Sequence, residues 1–399
     1  MNAADSYTVA TEVPRRKATV LQVLPQLVSG GVERGTIDVA AALINAGWRA
    51  VVASAGGPMV HELERTGAVH VPLPLASKNP FVMRSNIERL VAVINNLNVD
   101  IVHARSRAPA WSARAAARRT GKHFVTTFHN AYGTGGIIKH RYNAIMATGE
   151  RVIAISRFVA EHAASVYHVP PERLRLIPRG VDINRFDPDK VRPDRMIQLA
   201  KAWRLADGSP VVLLPGRLTR WKGQLVLIEA MARLRRPGVH AVILGTGKPR
   251  YRRELEEAVT RAGLGAYFRF VDDCNDIAAA YMLADVVVSA STSPEGFGRV
   301  IVEAQAMGRP VIATAHGGAQ ETIIPGETGW LVPPNNPLAL AQALARVLDQ
   351  PSEARMAMAA RQIMHVREHF SSALMAARTL SVYAELMPQV APATVAAMA

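Results

Sequence analysis

Short apolar runs rich in β-branched residues alternate along this chain with longer, alanine-rich stretches. The short runs have the length and composition of strands, and the longer stretches have those of helices. Alternating strands and helices are typical of parallel α/β folds, in which helices cover the sheet. The first half is predicted to contain strands Thr19–Leu24, Ala50–Ala53, His70–Pro72, Ile101–His103, His123–Thr127 and Arg151–Ile155, and helices Gly35–Ala46, Ile87–Leu97 and Ala110–Arg119.

The alternation is interrupted once, by a stretch rich in proline and aspartate at Asp187–Asp194 that is predicted to be a linker. It then restarts, so the chain is predicted to hold two doubly wound domains with a ligand-binding cleft between them. The second half is predicted to contain strands Val211–Leu214, His240–Leu244, Tyr267–Val271, Val286–Ser289 and Val311–Ala313, and helices Gly223–Leu234, Arg250–Ala262, Asp276–Leu283 and Ser371–Leu386.

The length of 399 residues suits two domains of ordinary size, and 49% hydrophobic residues can give each a core. We predict a disordered arm over residues 1–17, a Rossmann-like domain over residues 18–190 and a second one over residues 191–370. Residues 371–399 are predicted to form a helix that packs back on the first domain and then a frayed tail. The predicted class is therefore α/β, with two parallel sheets that face each other across a cleft.

The sequence contains no apolar run near the roughly 20 residues that span a bilayer. An apolar core and a cleavage site do not follow Arg15-Arg16-Lys17, so no secretory signal is predicted. A single cysteine, Cys274, excludes an internal disulfide framework and a cysteine-rich metal site. The expected location is the cytoplasm.

Net charge is +15, and residues 1–190 contribute most of it, with 24 Lys and Arg against 14 Asp and Glu. Such an excess favours anionic partners, either a nucleic acid or an acidic membrane surface. Nucleic acid is the weaker choice, because aromatic residues make up only 6% and no nucleic-acid-binding signature is present. An arginine-rich surface without an anionic partner is the alternative.

Two glutamates, Glu295 and Glu303, stand eight positions apart in Glu-Gly-Phe-Gly-Arg-Val-Ile-Val-Glu. The glycine-rich turn follows a predicted strand and opens a helix that should run to about Met307. Eight helical residues advance roughly 12 Å, so the two carboxylates can contact different parts of an elongated, hydroxyl-rich ligand. Amides at the helix start suit phosphate, and a sugar joined to a nucleoside by a diphosphate has this shape. Two unrelated glutamates on a solvated helix are the alternative.

Two cations, Arg217 and Lys222, bracket the loop between another predicted strand and a helix that begins at Gly223. Arginine can chelate two phosphate oxygens and lysine supplies a point charge, so the pair suits a diphosphate. A solvated basic loop is the competing interpretation.

Two glycine motifs and one histidine carry weaker signals. Gly30 and Gly31 lie between the first strand and first helix, where the backbone can approach a ligand closely or simply turn. Gly245-Thr-Gly247 lacks the third glycine and the acidic residue of a dinucleotide fingerprint, so NAD binding is rejected. His129 follows a predicted strand on the side where active-site groups emerge, although a structural histidine is also common there.

In this combination and order, the motifs resemble those of family-four glycosyltransferases over about residues 18–385. The resemblance is carried by Gly-Gly-Val-Glu, Gly-Arg-x4-Lys-Gly, Glu-Gly-Phe-Gly-x4-Glu-Ala, Gly-Arg-Pro-Val-Ile-Ala and Gly-Gly-x2-Glu, of which the second-domain motifs are the more specific. It implies a retaining enzyme that uses sugar nucleotides and has the GT-B fold, with an acceptor-binding first domain and a nucleotide-sugar-binding second domain. The first domain, with its His-Ala-Arg-Ser-Arg run at His103–Arg107, resembles the first domains of bacterial lipopolysaccharide-core mannosyl- and glucosyltransferases.

The resemblance also implies individual roles. Arg217 and Lys222 would hold the diphosphate and stabilise the leaving nucleotide, so that no metal is required. Glu303 would hold the ribose, whereas Glu295 would position hexose hydroxyls rather than act as a nucleophile. The predicted catalytic set is His129, Arg217, Lys222 and Glu295, and the predicted donor-binding set is Gly30, Gly31, Phe297, Gly298, Arg299 and Glu303.

No cofactor is expected beyond the co-substrate, GDP-mannose or a UDP-hexose. The expected acceptor is a glycolipid, a lipopolysaccharide core or a polysaccharide precursor. Relatives commonly have asparagine where this chain has Arg179, which would either meet a charged acceptor or be exposed. A basic face is expected to bind anionic membrane at the inner surface of the cytoplasmic membrane, unless it is only solvated. Its members are Arg105, Arg107, Arg114, Arg118, Arg119, Lys122, Lys139 and Arg141.

Two other functions compete with transfer. A sugar-nucleotide epimerase shares the two-domain plan but needs acid and base carboxylates and no acceptor. A non-catalytic sugar-nucleotide- or membrane-binding protein would have lost donor-site residues, and here all four of Arg217, Lys222, Glu295 and Glu303 are present. The sequence therefore favours a glycosyltransferase.

Overall fold

A computed structural model describes residues 17–28, 30–133 and 135–388. The predicted disordered arm, apart from Lys17, and the predicted tail beyond Pro388 lie outside the described residues. Contacts divide the chain into two compact units. The first comprises the described residues before Gly30, Thr36–Val125 and those from Ala377 onward, and the second comprises Gly30–Gly35 and Thr126–Ala376. This division follows compactness alone, so the predicted domain boundaries stay predictions.

The first of two sheets has seven strands in the order β3-β2-β1-β4-β5-β6-β7. The pairs β1–β2, β1–β4, β2–β3 and β6–β7 are parallel. The order reverses direction at β1, beside which β4 lies. The strands are β1 Thr19–Val23, β2 Arg49–Ser54, β3 Val69–Pro72, β4 Ile101–Ala104, β5 His123–Phe128, β6 Arg151–Ala154 and β7 Leu174–Leu176.

The second sheet has six strands in the order β10-β9-β8-β11-β12-β13, and every neighbouring pair is parallel. Its order reverses at β8, whose other neighbour is β11. All five residues of β8 and of β9 are buried, as expected for parallel strands covered on both faces. The strands are β8 Val211–Pro215, β9 His240–Leu244, β10 Phe268–Val271, β11 Val286–Ser289, β12 Val311–Thr314 and β13 Trp330–Val332.

Fifteen α-helices lie in the described part of the chain. They are α1 Gly31–Asn45, α2 Val60–Arg65, α3 Pro80–Asn96, α4 Arg107–Thr120, α5 Ile137–Asn143, α6 Arg157–Tyr167, α7 Pro193–Ala202, α8 Gln224–Leu234, α9 Pro249–Arg261, α10 Ile277–Leu283, α11 Arg299–Ala306, α12 Ala319–Thr322, α13 Pro337–Leu348, α14 Ser352–His369 and α15 Ser372–Leu386. Among the described residues, none of these helices combines the length and apolar character needed to cross a membrane.

The predicted α/β class is confirmed, and all eleven predicted strands agree with strands of the structure to within one residue at each end, whereas β7 and β13 were not predicted. Helix starts were predicted less well. Helix α3 begins seven residues before the predicted Ile87, because Asn79 accepts from the backbone N–H of Phe81 and Pro80 occupies the first turn. The predicted linker is also partly wrong, since its end belongs to α7, which begins at Pro193.

Candidate functional site

The reversal of strand order between β8 and β11 fixes where a site can form in the second sheet. Loops that leave the carboxyl ends of two such strands run to opposite faces of the sheet and open a crevice between them. The loop after β8 carries Arg217 and Lys222, and the loop after β11 leads to Glu295. Two separate sequence motifs therefore meet at one edge of this sheet.

The two loops touch through their backbones. Gly223, which precedes α8, has a φ of +72°, and a Cβ there would lie 1.8 Å from the carbonyl oxygen of Ala290. Only glycine allows both this left-handed conformation and this close approach. The backbone N–H of Thr292 donates to the carbonyl of Trp221 at 2.7 Å. The position of Lys222 relative to the loop after β11 is thus set by main-chain contacts.

The loop that carries Glu295 is held from its other side by a glycine pair. Gly318 donates its backbone N–H to the carbonyl of Glu295 at 2.9 Å. A Cβ on Gly317 would lie 2.5 Å from the same carbonyl, and one on Gly318 would lie 2.5 Å from Cα of Phe297. The Gly-Gly-x2-Glu motif therefore packs directly against the Glu-Gly-Phe-Gly turn, which a larger residue would prevent.

All ten predicted site residues line one cavity of about 430 Å³, within the range of small-molecule sites. Every residue of its lining belongs to the second compact unit. The predicted members are Gly30, Gly31, His129, Arg217, Lys222, Glu295, Phe297, Gly298, Arg299 and Glu303. The structure brings them together, whereas their individual roles stay predictions.

Lys222 and Glu295 form an ion pair inside this cavity. Lys222 Nζ lies 2.7 Å from Glu295 Oε1, and the two side chains are only 15% and 16% exposed. Ser291 donates its hydroxyl to the same oxygen. The ammonium also stands 4.7 Å from the centre of the Trp221 ring, a distance typical of a cation–π contact. Glu295 therefore has a defined orientation, and Lys222 is held between a carboxylate and an aromatic face.

Glu303 lies one helical turn into α11, whereas Glu295 precedes the helix. Gly298 separates them in a left-handed conformation, with a φ of +88°. The expected rise of eight helical residues therefore does not apply. Glu303 Oε1 accepts from Arg299 at 2.6 Å, and its Oε2 accepts from the Tyr281 hydroxyl at 2.8 Å. Burial, and then the charge of Glu303, raises the pKa of Tyr281 well above its ordinary value, so this hydroxyl remains a donor.

The described lining contains four Arg or Lys side chains and two carboxylates. Arg217 is exposed, and its side chain makes no hydrogen bond or ion pair with any described residue. Lys222 and Arg299 are paired with Glu295 and Glu303. The excess of positive charge is suited to an anionic ligand such as a diphosphate.

Arg179 is the fourth cation of the lining. The sequence left two interpretations of it, contact with a charged acceptor or exposure at the surface, and the structure excludes the second. Its side chain is buried, with the residue only 6% exposed, and it lines the cavity. It donates to the carbonyl of Gly31 at the start of α1. Arg179 is therefore not an exposed surface arginine. It anchors the glycine turn that was predicted to approach the phosphates.

His129 reaches the cavity from the carboxyl end of β5. Its carbonyl is 2.9 Å from where a Cβ on Gly296 would lie, so the backbone after β5 packs against the Glu-Gly-Phe-Gly turn. Phe297 is buried, and its ring meets that of Phe370 at 5.6 Å between centroids. These contacts pack the backbone after β5 and the ring of Phe370 against the Glu-Gly-Phe-Gly turn.

Sequence reasoning missed three residues that hold the site in place. Trp221 is adjacent to Lys222, and Ser291 stands four residues before Glu295, a spacing that was an available signal. Tyr281 gave no such signal, because a tyrosine in an alanine-rich helix is usually an ordinary core residue. Its contact with Glu303 depends on how α10 and α11 pack.

No group of three or more His, Cys, Asp or Glu residues with metal-binding geometry occurs among residues 17–28, 30–133 and 135–388. The predicted metal independence remains a prediction.

The assignment of Arg105 to the predicted basic face is wrong. Arg105 is 4% exposed and lies in the core of the first unit, two residues from the fully buried His103. His103 Nδ1 lies 2.6 Å from the hydroxyl of Tyr383, in the part of α15 that belongs to the same unit. Burial, and then the charge of Arg105, lowers the pKa of His103 well below its ordinary value. Arg105 is therefore unavailable to a membrane surface.

Two family models match this chain. The model described as Glycosyltransferase Family 4 matches residues 29–185, and the model described as Glycosyl transferases group 1 matches residues 197–363.

Two named relatives are similar over most of their length. A D-inositol 3-phosphate glycosyltransferase of Xylanimonas cellulosilytica is 32% identical over 305 residues, which cover 72% of this chain and 72% of the relative. A GDP-mannose-dependent alpha-(1-6)-phosphatidylinositol monomannoside mannosyltransferase of Mycolicibacterium smegmatis is 30% identical over 280 residues, which cover 67% of this chain and 72% of the relative.

Solved structures show the same architecture. A glycosyltransferase from Rickettsia africae is 38% identical, with a TM-score of 0.85, over 93% of this chain and 99% of that one. Anabaena HepE in complex with UDP-glucose is 25% identical, with a TM-score of 0.79, over 91% of this chain and 99% of that one.

Proposed function

This chain belongs to the family-four glycosyltransferases of the GT-B fold, and on that basis we propose the reaction it catalyses. It moves a hexose, with retention at the anomeric carbon, from a nucleotide diphosphate sugar to a hydroxyl of a phosphate-bearing glycolipid or saccharide precursor. The observation that carries the proposal is the cavity in which Arg217 and Lys222 meet Glu295 and Glu303. Donor and acceptor classes are proposed from that chemistry and from the relatives.

The cations stabilise the departing nucleotide. Cleavage of the bond between the anomeric carbon and the phosphate oxygen leaves negative charge on the diphosphate. Arg217, exposed at the cavity, and Lys222, mostly buried, supply fixed positive charge where that negative charge develops. With these side chains in place, a divalent metal is not needed to neutralise the leaving group. We therefore expect a metal-independent reaction.

The carboxylates position the donor. Glu303 binds ribose hydroxyls, and Glu295, with the backbone at Phe297 and Gly298, binds hydroxyls of the hexose. A nucleophilic role for Glu295 is disfavoured because its Oε1 already accepts from Lys222 and Ser291, which lowers its reactivity. Instead, the acceptor oxygen bonds to the anomeric carbon on the face that the phosphate leaves. The acceptor proton goes to the departing phosphate oxygen, and His129 lies beside the sugar.

The acceptor is assigned by charge. Both relatives named above act on inositol derivatives that bear a phosphate, as their names state. Lys139 and Arg141, on α5, are exposed and are proposed to contact such an acceptor or its lipid environment. Ile137 and Ile138, at the start of α5, are 79% and 87% exposed beside Lys139. Apolar side chains next to cations are typical of reversible membrane contact.

The donor is proposed to be GDP-mannose or a UDP-hexose. The name of the Mycolicibacterium relative includes GDP-mannose, and the HepE complex contains UDP-glucose, so each supports one of these donors. The cytoplasm, at the inner face of the membrane, is the proposed location.

Release of nucleoside diphosphate tests the reaction. Purified protein is incubated with GDP-mannose or UDP-glucose and phosphatidylinositol in mixed micelles, with and without EDTA. Release that requires both substrates, persists in EDTA and is lost in Lys222→Ala supports the proposal. Conversion of the donor into its epimer without acceptor would instead indicate an epimerase, and binding without turnover would indicate a non-catalytic protein.

Vesicles test the membrane contact separately. The protein should sediment with vesicles containing anionic lipid at low salt and dissociate as the salt concentration rises, because screening weakens the attraction. The variant Ile137→Ser with Ile138→Ser should bind less at every salt concentration. Equal retention of the wild-type protein on neutral vesicles would contradict the charge assignment.

A further inference from the structure

Arg299 and Glu303 are paired in the cavity, although both were expected to bind the donor. We propose that Arg299 competes with the donor's ribose for Glu303 and moves to the donor's diphosphate when the ribose takes its place. The inference rests on the proposed function, because it takes Glu303 as the ribose-binding residue. Arg299 would then be a positioning residue that links recognition of the nucleoside to recognition of the phosphates.

The two partners of Glu303 differ in their access to solvent. Tyr281, on Oε2, is fully buried, and its ring packs against that of Phe186 at 5.9 Å between centroids. Arg299, on Oε1, has a side chain that is 32% exposed, while that of Glu303 is 11% exposed. Arg299 is therefore the partner on the side from which a ligand approaches. A ribose that reaches Glu303 must share or replace this contact.

Tyr281 is the fixed partner. Moving its ring would open a hole in the packing between α10 and α11, whereas its hydroxyl can donate to Glu303 in any state of the site. Arg299 has a long, flexible side chain at the first position of α11 and can change rotamer without moving the helix. Exchange is consequently expected at Oε1 and not at Oε2.

The destination of Arg299 is close to its present position. A Cβ on Gly31 would lie 2.9 Å from Arg299 Cδ and 3.3 Å from its Nη1. The guanidinium thus already stands beside the glycine turn that is expected to approach the donor's phosphates. A guanidinium binds phosphate through two parallel hydrogen bonds, so the diphosphate can replace the carboxylate as its partner.

Exchange makes opposite predictions for ligands with and without phosphates. An uncharged nucleoside must displace Arg299 and offers it no new partner, whereas a nucleoside diphosphate offers one. Replacing Arg299 by methionine, which matches the arginine stem but lacks the guanidinium charge, should therefore tighten binding of the nucleoside and weaken binding of the diphosphate. A merely structural role would change both affinities in the same direction.

The experiment measures affinities of wild-type protein and Arg299→Met for UDP, GDP and ADP by calorimetry, and for uridine, guanosine and adenosine by competition. For the base that the wild-type protein binds, we expect the diphosphate to bind roughly tenfold more weakly to the variant, the size of a lost charged hydrogen bond. The matching nucleoside should bind severalfold more tightly. Arg299→Lys should change the affinities for the diphosphate and for the nucleoside in the same directions as Arg299→Met, but by smaller factors.

Two further variants serve as comparisons. Tyr281→Phe should weaken the binding of nucleoside and of nucleoside diphosphate by the same factor. It should leave pyrophosphate binding unchanged, because the tyrosine acts only through Glu303. Arg261→Met removes an arginine that pairs with Glu257 at the same four-residue spacing on α9, and should change neither affinity. Thermal unfolding of each variant establishes that it is folded.

The exchange of Arg299 between Glu303 and the diphosphate would be overturned if both variants changed the two affinities in the same direction or changed neither. That result would leave the proposed reaction in place. A wild-type protein that binds none of the three diphosphates would overturn the proposed function and the exchange together.

Discussion

Two carboxylates in the cavity have the same kinds of partner but arrange them differently. Glu295 accepts from Lys222 and from the Ser291 hydroxyl, and both bonds end on Oε1. Glu303 accepts from Arg299 and from the Tyr281 hydroxyl, and these bonds are divided between Oε1 and Oε2. Within residues 17–28, 30–133 and 135–388, no hydrogen bond ends on Oε2 of Glu295.

This difference has a chemical consequence. Glu295 can accept a hydrogen bond from a sugar hydroxyl at Oε2 while Lys222 remains in place. Glu303 can accept one only by sharing or exchanging its contact with Arg299. The sugar end of the donor would thus meet an organised site, and the nucleoside end would meet a site that rearranges.

The largest effect is expected from Lys222→Ala, which removes the cation of the organised pair. Turnover should fall by roughly 10²–10³-fold, the size of the loss when one preorganised donor is removed from an oxyanion hole. Nucleoside diphosphate release under saturating donor measures it, with circular dichroism as a check on folding. Turnover equal to that of the wild-type protein would contradict the assignment of Lys222 to the leaving diphosphate.

Replacing each carboxylate by its amide separates the two ends of the donor. Glu303→Gln should weaken nucleoside diphosphate and nucleotide sugar alike, by roughly 10–100-fold, because a charged hydrogen bond to ribose is lost. Glu295→Gln should weaken only the nucleotide sugar. Calorimetry with UDP, GDP and their sugars distinguishes the two. Equal losses of UDP or GDP affinity in both variants would remove the distinction between sugar end and nucleoside end.

The two hydroxyl partners should differ in what they contribute to stability. Tyr281→Phe leaves Oε2 of Glu303 without its buried donor and should cost about 1–2 kcal/mol of unfolding free energy. Ser291→Ala should cost less, since Lys222 still donates to the same oxygen of Glu295. Urea unfolding of both variants beside the wild-type protein measures this. A larger loss in Ser291→Ala would show that the Glu295 pair depends on its hydroxyl more than the Glu303 pair does.

The smallest effect is expected outside the cavity, at the carboxylate that caps the helix bearing Tyr281. Asp276 accepts from the backbone N–H of Ala279 and from Arg195, and the hydrogen bond from Arg195 is the main cause of its lowered pKa. A lowered pKa means stabilisation that is present above the unfolded-state pKa and is lost as pH falls through the folded-state pKa. Asp276→Asn keeps a capping oxygen.

The melting temperature of Asp276→Asn should therefore lie slightly below that of the wild-type protein at pH 7, and the difference should shrink as the pH falls through the lowered folded-state pKa of Asp276. A difference that grows with acidification would have the opposite sign and would contradict the ion pair. Thermal unfolding of both proteins, followed from pH 7 into the acid range, measures this difference in melting temperature.

Local chemistry made most of the fold and the site predictable. Buried parallel strands are continuous apolar runs, so β9 and β11 could be placed to the residue. The motif residues stand at the ends of such strands, and parallel order brings strand ends to one edge of a sheet. That is why Arg217, Lys222 and Glu295 could be expected to meet.

Contacts between helices and over long sequence separations could not be predicted. Tyr281 reaches Glu303 because α10 packs beside α11, and no local pattern encodes that packing. Arg105 was assigned to the basic face because it belongs to an arginine-rich stretch of the sequence, yet it lies in the core after β4. Arg179 was ambiguous for a similar reason, since only the fold brings it to Gly31.

Binding of a nucleotide sugar through Glu303 is measured most directly by thermal shift. The panel is GDP-mannose, UDP-glucose, UDP-galactose, UDP-N-acetylglucosamine and ADP-heptose, each with wild-type protein and Glu303→Ala. A donor at 100 times its dissociation constant adds about 2.7 kcal/mol to stability. We predict that donors of one nucleotide stabilise the wild-type protein clearly more than the variant. Equal stabilisation of both proteins, or no stabilisation by any donor, would contradict the assignment of this cavity as the donor site.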